Sequence, residues 1–203
     1  MSKKEKTDEE KKIAKEKRRA RRKNRKKRTE MKGKIPKEVI IVDIQSLYYP
    51  YKSWMDDFKK YWRNGEDTVF KICNSPWAMF VEDYVEQGDK ILNNLNDHVI
   101  SKWGWEAYSA CGKNIDNIDV KRMGKDVQAL RSAQRLIKIR NSIKEHGYCG
   151  GKYNAERRMI NVVRGYTDPN GVVGYKLLWG NRRSAVCAGL GMKKIKVRCW
   201  EHY

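Results

Sequence analysis

No apolar stretch near the N-terminus has the length of a signal-peptide core, and no run approaches the length needed to cross a membrane. Secretion and membrane partners are therefore not expected, and a reducing cytoplasm is the expected location. Cysteine is sparse and poorly arranged. Cys73, Cys111, Cys149, Cys187 and Cys199 form no C-x-x-C pair, and their odd number argues against a closed disulfide framework. The first four are 38 residues apart, but the flanks KICNSPW, SACGKNI, GYCGGKY and AVCAGLG share little beyond glycine and lysine, so the spacing is read as chance. The three histidines, His98, His146 and His202, select no nucleophilic serine or cysteine. Cys187, Cys199 and His202 lack zinc-ligand spacing, so no metal site is expected. There is no dinucleotide fingerprint. Gly147 to Lys152 has the wrong spacing for a phosphate loop, with Tyr153 where a serine or threonine is required. Acidic residues are the last shortage: 25 Asp and Glu stand against 46 Lys and Arg, a net charge of +21. That balance points to polyanionic partners, DNA or RNA. Single carboxylates such as Asp116, Asp119 and Glu156 could bind magnesium, yet in loops such groups are usually solvated.

What is present divides into three segments. Residues 1–34 hold 18 Lys and Arg against 6 Asp and Glu, densest at Arg18, Arg19, Arg21, Arg22, Lys23, Arg25, Lys26, Lys27 and Arg28. This composition cannot bury enough apolar surface to fold alone, although its Ala, Glu and Lys content permits helix on a partner. It is either a solvated tail or an arm that binds nucleic-acid phosphates and releases their counterions.

Residues 35–125 read as a strand followed by a mainly helical, aromatic-rich region. Glu38 to Ile44 (EVIIVDI) predicts a strand, and Leu47 to Trp54 brings a proline among four aromatics. Trp54 to Arg63 has helical spacing. Ser75-Pro76 predicts a capped helix running to Gln87, with Trp77, Phe80, Val81 and Tyr84 as its apolar stripe. Aromatics at that spacing belong to a core more often than to a base-stacking surface. Ile91 to Trp105 predicts another helix ending near Gly104, and Cys111 to Lys125 a polar loop.

Residues 126–203 carry the clearest pattern. Val127 to His146 predicts a helix with Leu130, Ala133, Leu136, Ile137 and Ile143 on one face, stopped by Gly147. Within Val172 to Arg198, Tyr175, Leu177 and Trp179 alternate as a strand whose Leu177 and Trp179 are expected to face the core. Gly180 permits a sharp turn, Asn181 suits the N-cap of a helix from Arg182 to about Leu190, and Gly191 suits its stop. Ile195, Val197 and Cys199 alternate with Lys196 and Arg198 as a further strand. Two arginines in the first turn of a helix lie against its dipole. Either a bound anion offsets them, or one pairs with a carboxylate such as Glu156 while the other is solvated.

At these residues the chain resembles the ParB/sulfiredoxin-like superfamily. Its signature segment is similar to Gly180-Asn181-Arg182-Arg183 followed by Ala185, Ala188, Leu190, Gly191, Ile195 and Val197. Upstream, Ile143 to Gly147 resembles the helix end before the central strands, and Ile160 to Val163 the strand after it. The resemblance covers Leu136 to Arg198. It implies an α+β fold, a small mixed sheet with a ParB/sulfiredoxin-like core behind a helical region, and phosphate binding by Gly180, Asn181, Arg182 and Arg183. A nucleotide with magnesium is the cofactor it suggests. Sulfiredoxins place a reactive cysteine in this turn, where this chain has Asn181 and Arg182, so sulfinic acid reduction is not expected. In ParB proteins a Gly-Glu-Arg-Arg segment binds nucleotide phosphates; Asn181 replaces the glutamate here, and no helix-turn-helix follows residue 198. The expectation is a ParB-like nucleic-acid-associated protein. A nuclease or nucleotide hydrolase of the same superfamily, and a non-catalytic RNA or protein interaction module, are the alternatives. A homo-oligomer is left open.

Overall fold

Alternating β-branched residues build the sheet of this protein, seen in a computed structural model that describes residues 38–50, 53–65, 70–110, 118–149, 159–168 and 170–200. Side chains at 53–54, 105–110 and 118–126 are outside that description. The chain divides into Met1–Pro36 and Lys37–Tyr203, and the described residues all belong to the second unit. The fold is α+β with one five-stranded mixed sheet. Its strands are β1 (Glu38–Asp43), β2 (Leu47–Tyr48), β3 (Ile160–Thr167), β4 (Val173–Trp179) and β5 (Lys194–Trp200), in the order β1-β5-β3-β4-β2. The β1/β5 and β3/β4 pairs are antiparallel, and the β3/β5 and β2/β4 pairs parallel. The first two strands thus flank the three that come from the C-terminal part of the chain.

The helices are α1 (Pro76–Gln87), α2 (Val99–Ala110), α3 (Ile118–His146) and α4 (Asn181–Gly189). The chain steps from β4 to β5 over the intervening β3, and α4 makes that crossing. Its Ala185, Val186 and Cys187 are fully buried in the same core as Ile160, Val162, Leu177, Ile195, Val197 and Cys199. In α1, Ser75 accepts from the Ala78 N–H at 3.2 Å and Pro76 fills the first turn, as its sequence predicts. Among the described residues no helix is long and apolar enough to cross a membrane.

Four sequence expectations need correction. Trp179 does not face the core; it is 40% exposed, whereas Leu177 is fully buried. Val162 pairs with Leu177 and Asn161 with Trp179, so Leu178 is an extra residue in β4. Such a bulge turns everything beyond it to the other face. On the predicted face of α3, Ala133 and Leu136 are buried and Ile137 and Ile143 pack against the core, but Leu130 is exposed and Ala129 is buried instead. Small residues let neighbouring helices approach closely, which suits Ala129 better than Leu130 to the inward side. The stretch Ile91–Trp105 is not one helix: a 3-10 segment, Gly88–Asn94, is followed by α2, with Gly104 inside α2 rather than near an end at Trp105. His98 starts α2: its Nδ1 accepts from the Ile100 N–H at 3.0 Å, and its Nε2 donates to Asp83 at 2.9 Å. Finally, α3 begins at Ile118, so part of the polar stretch read as loop is helical. Extending an anchored helix through polar residues is easier than nucleating one.

Helices α1 and α4 are held close by Gly189. A Cβ there would lie 2.7 Å from the Ala78 carbonyl oxygen and 2.7 Å from Val81 Cβ. Both are fixed parts of a buried helix, so neither yields easily. Gly189→Ala is expected to destabilise the fold by about 1–3 kcal/mol, seen as a lower urea midpoint at unchanged slope. A midpoint equal to wild type would mean that the two helices are less tightly joined than this.

Candidate functional site

The turn between β4 and α4 depends on glycine for two reasons. Gly180 has φ 99° and ψ 17°, the left-handed region that side chains oppose. A Cβ on it would also stand 3.0 Å from Ile160 Cγ1 and 3.3 Å from Ile160 Cα. This backbone makes Gly180 the N-cap and Asn181 the first helical residue, one position earlier than the sequence suggests. Having no side chain, Gly180 offers no acceptor to the first-turn N–H groups, which in a helix lack intrahelical partners. Ser184 Oγ donates back to the Gly180 and Asn181 carbonyls at 3.2 and 2.9 Å. The carbonyl side of this turn is thus satisfied by a side chain, whereas on the N–H side the N-cap residue supplies none.

Asn181, Arg182 and Arg183 are all half-buried at this helix start. The Arg182 Nε is buried and has no hydrogen-bond partner among the described residues. Burial, and then the nearby guanidinium of Arg135 on α3, lower the Arg182 pKa, while Tyr49 opposes the shift. A cation withdrawn from water beside a second cation is costly unless an anion joins them. The Asn181 Oδ1 is likewise buried without a partner. Turned over, the same amide presents N–H donors to that spot. Arg183 lies near Cys187 and pulls its thiol pKa down, but burial dominates and pushes it up to about 12. That thiol is a packing group rather than a nucleophile.

Aromatic side chains lie close to the turn. Tyr49 packs against Trp62 and Trp77 with ring centroids 5.7 and 5.5 Å apart, and Trp77 meets Trp103 edge-on at 4.6 Å. Trp62 and Trp103 are deeply buried, and their Nε1 groups have no hydrogen-bond partner among the described residues.

At the β2 end of the sheet lies a second polar cluster, and it is closed. Asp168 accepts from the Val172 and Asn170 N–H groups at 2.9 Å each and from the Tyr48 hydroxyl at 3.1 Å. Burial raises its pKa, but these hydrogen bonds prevail and hold it below the usual carboxylate range. Burial and the Asp168 bond push Tyr48 up to about 12. The cluster pins the β3–β4 connection and presents no poised acid or base.

The structure therefore brings Gly180, Asn181, Arg182 and Arg183 together at one helix start. It adds Arg135 and Tyr49, which sequence reasoning missed. Arg135 is one cation among many on α3, and Tyr49 follows a two-residue strand, so neither carries a local signal. Arg18, Arg19, Arg21, Arg22, Lys23, Arg25, Lys26, Lys27 and Arg28 lie outside the described residues, as do Asp116, Glu156 and His202 and the side chain of Asp119. Among the described residues no group of three or more His, Cys, Asp or Glu could hold a metal. In comparisons with known proteins, no family model, curated protein or solved structure matches the chain.

Proposed function

We propose that this is a nucleic-acid-associated protein whose Gly180–Arg183 turn binds a phosphate group of a nucleotide or of a nucleic-acid backbone. The observation that carries the proposal is Arg182, a guanidinium half withdrawn from water beside Arg135, with its Nε buried and unpartnered among the described residues. Phosphate suits that setting because it bridges two guanidinium groups and accepts from first-turn N–H groups. The resemblance to ParB-like proteins at these residues supports the same choice. Magnesium would arrive on the phosphates of a nucleotide, since arginine side chains have no oxygen to offer it. The basic arm around Arg18 to Arg28 is assigned the same class of partner, DNA or RNA, through its charge. A hydrolase would need carboxylates at the turn, and the charges that act on Arg182 among the described residues come from Arg135 and Tyr49.

Arg182→Met tests the turn, because it keeps most of the side chain's packing and removes its charge. The unliganded variant is expected to be as stable as wild type or slightly more so, since a burdened cation has gone. Its affinity for nucleoside triphosphate or pyrophosphate is expected to fall by about 1.5–3 kcal/mol. Calorimetric titration with and without magnesium, alongside thermal unfolding, reads both effects. If Arg182→Met unfolds the protein and the wild type binds no phosphate ligand, the arginine is structural and the proposal fails.

A further inference from the structure

The helices cover one face of the sheet, and the other face has a distinct chemistry. Pairing fixes which side chains share that second face. Asn161 lies opposite Trp179 and beside Arg198, Val163 opposite Lys176 and beside Trp200, and Val39, Ile41 and Asp43 opposite Arg198, Lys196 and Lys194. Along β5, Lys194, Lys196 and Arg198 therefore form a row of cations about 6.6 Å apart, two residues of strand per step. Lys194 and Lys196 are exposed and Arg198 is half-buried. The same face carries large apolar groups that are partly exposed: Val39 is 55% exposed, Ile41 64% and, across β3 on β4, Trp179 40%. Trp179 is there because of the bulge at Leu178, which takes a tryptophan out of the core face and sets it on the basic one.

Trp179 is also held in place. Its ring meets that of Trp200 edge-on, with centroids 6.4 Å apart and planes at 79°. Trp200 in turn donates from Nε1 to Asn161 Oδ1 at 3.0 Å, and Asn161 Nδ2 donates to the Met159 carbonyl at 2.9 Å. An exposed indole braced through a hydrogen-bonded neighbour is pre-organised for a flat partner, because little freedom is lost when that partner stacks.

We infer that this second sheet face binds single-stranded nucleic acid, with a base stacked on Trp179 and the sugar–phosphate backbone laid along Lys194, Lys196 and Arg198. The observations fit this occupant better than others of opposite charge. A duplex keeps its bases stacked on each other and presents phosphates alone, which gives the exposed indole no use. A single strand offers both a polyanionic backbone and unpaired π-faces, the two features that lie side by side here. This extends the nucleic-acid proposal to a second surface, separate in the fold from the turn at Gly180–Arg183, so each can fail alone.

The test uses the full-length protein and fluorescence anisotropy with labelled oligo(dT) and oligo(rU) of about 12 nucleotides, within the span of a single such site. A matched duplex and polyglutamate serve as competitors. Trp179→Ala is expected to weaken binding of at least one oligomer about tenfold or more, while Trp179→Phe retains most of it. The two oligomers distinguish DNA from RNA as the preferred strand. Lys196→Glu is expected to weaken binding and flatten its salt dependence. Duplex binding, driven by charge alone, is expected to change less than about twofold in Trp179→Ala. Trp179→Ala should remain folded under the assay conditions, because the residue lies outside the buried core. Equal oligomer binding by wild type and Trp179→Ala overturns the inference, even if the arm still binds nucleic acid. Polyglutamate competing as well as the oligomers overturns it too, as does dissociation of a homodimer by Trp179→Ala in sedimentation, which would make a second copy the occupant. Loss of oligomer binding in Arg182→Met with no change in Trp179→Ala moves the contact to the turn and overturns it as well.

Discussion

Leu177→Ala is expected to lower the unfolding free energy by about 2–5 kcal/mol, the range for deleting a large side chain from a core. Leu177 is fully buried and pairs with Val162, which is also fully buried. It sits mid-sheet, with β3 on one side and β2 on the other, so the strand cannot shift to close a cavity without breaking pairs on both sides. The layer above is no more yielding. Helix α4 is already held close to α1 at Gly189, where not even a Cβ fits, and cannot sink into the space. Incomplete relaxation places the expected loss toward the upper part of the range. Urea denaturation at constant slope reads it. The same experiment on Trp179→Ala is a sharp control. Plain alternation along β4 would make the two substitutions comparable, whereas the bulge at Leu178 makes Leu177 the costlier and Trp179 the cheaper of the two. A loss below about 0.5 kcal/mol for Leu177 would mean that the strand is set in another register.

That contrast also shows what the sequence could and could not disclose. Segments with strong local signals stand where they were expected: the strand at Glu38, the capped helix at Ser75-Pro76, and the strand with Ile195, Val197 and Cys199 inward. Each is decided by neighbours a few residues away. Trp179 is not. Its direction depends on one extra residue opposite β3, and a bulge is a property of two strands that no single strand reports. Leu130 was misjudged for a related reason. Within a helix of basic and small residues, the inward side is set by which residues let α2 and α4 come close, and that favours Ala129 and Ala133 over a larger leucine.

The candidate site divides in the same way. Gly180, Asn181, Arg182 and Arg183 are contiguous and were legible as a turn entering a helix. Their electrostatic setting was not. It comes from Arg135, 47 positions before Arg182, and from Tyr49, 133 positions before it. The sequence could say that two arginines oppose a helix dipole, but not that a third would stand beside them.

Gly180→Val is expected to cost about 2–5 kcal/mol, from two separable causes. The first is backbone strain: φ at 99° lies where an L-residue is disfavoured by roughly 1–2 kcal/mol and a β-branched one by more. The second is space. The new Cβ would stand 3.0 Å from Ile160 Cγ1, and Ile160 is a fully buried residue at the start of a central strand, so relief there displaces the sheet. Overpacking of this kind adds about 1–3 kcal/mol. Gly180→Asn separates the causes, because asparagine tolerates left-handed backbone and keeps only the crowding. It is therefore expected to fall between wild type and Gly180→Val. A second separation comes from Ile160→Ala, which removes the crowding atom, so that Gly180→Val should cost less in that background than in wild type. Phosphate affinity should fall with Gly180→Val even under conditions where the variant stays folded, since the first-turn N–H groups are aimed by this one residue. Arg182→Met is expected to lose affinity while keeping stability, and Gly180→Val to lose both. If Gly180→Val stayed within about 0.5 kcal/mol of wild type, the left-handed turn would not be the feature that sets the start of α4.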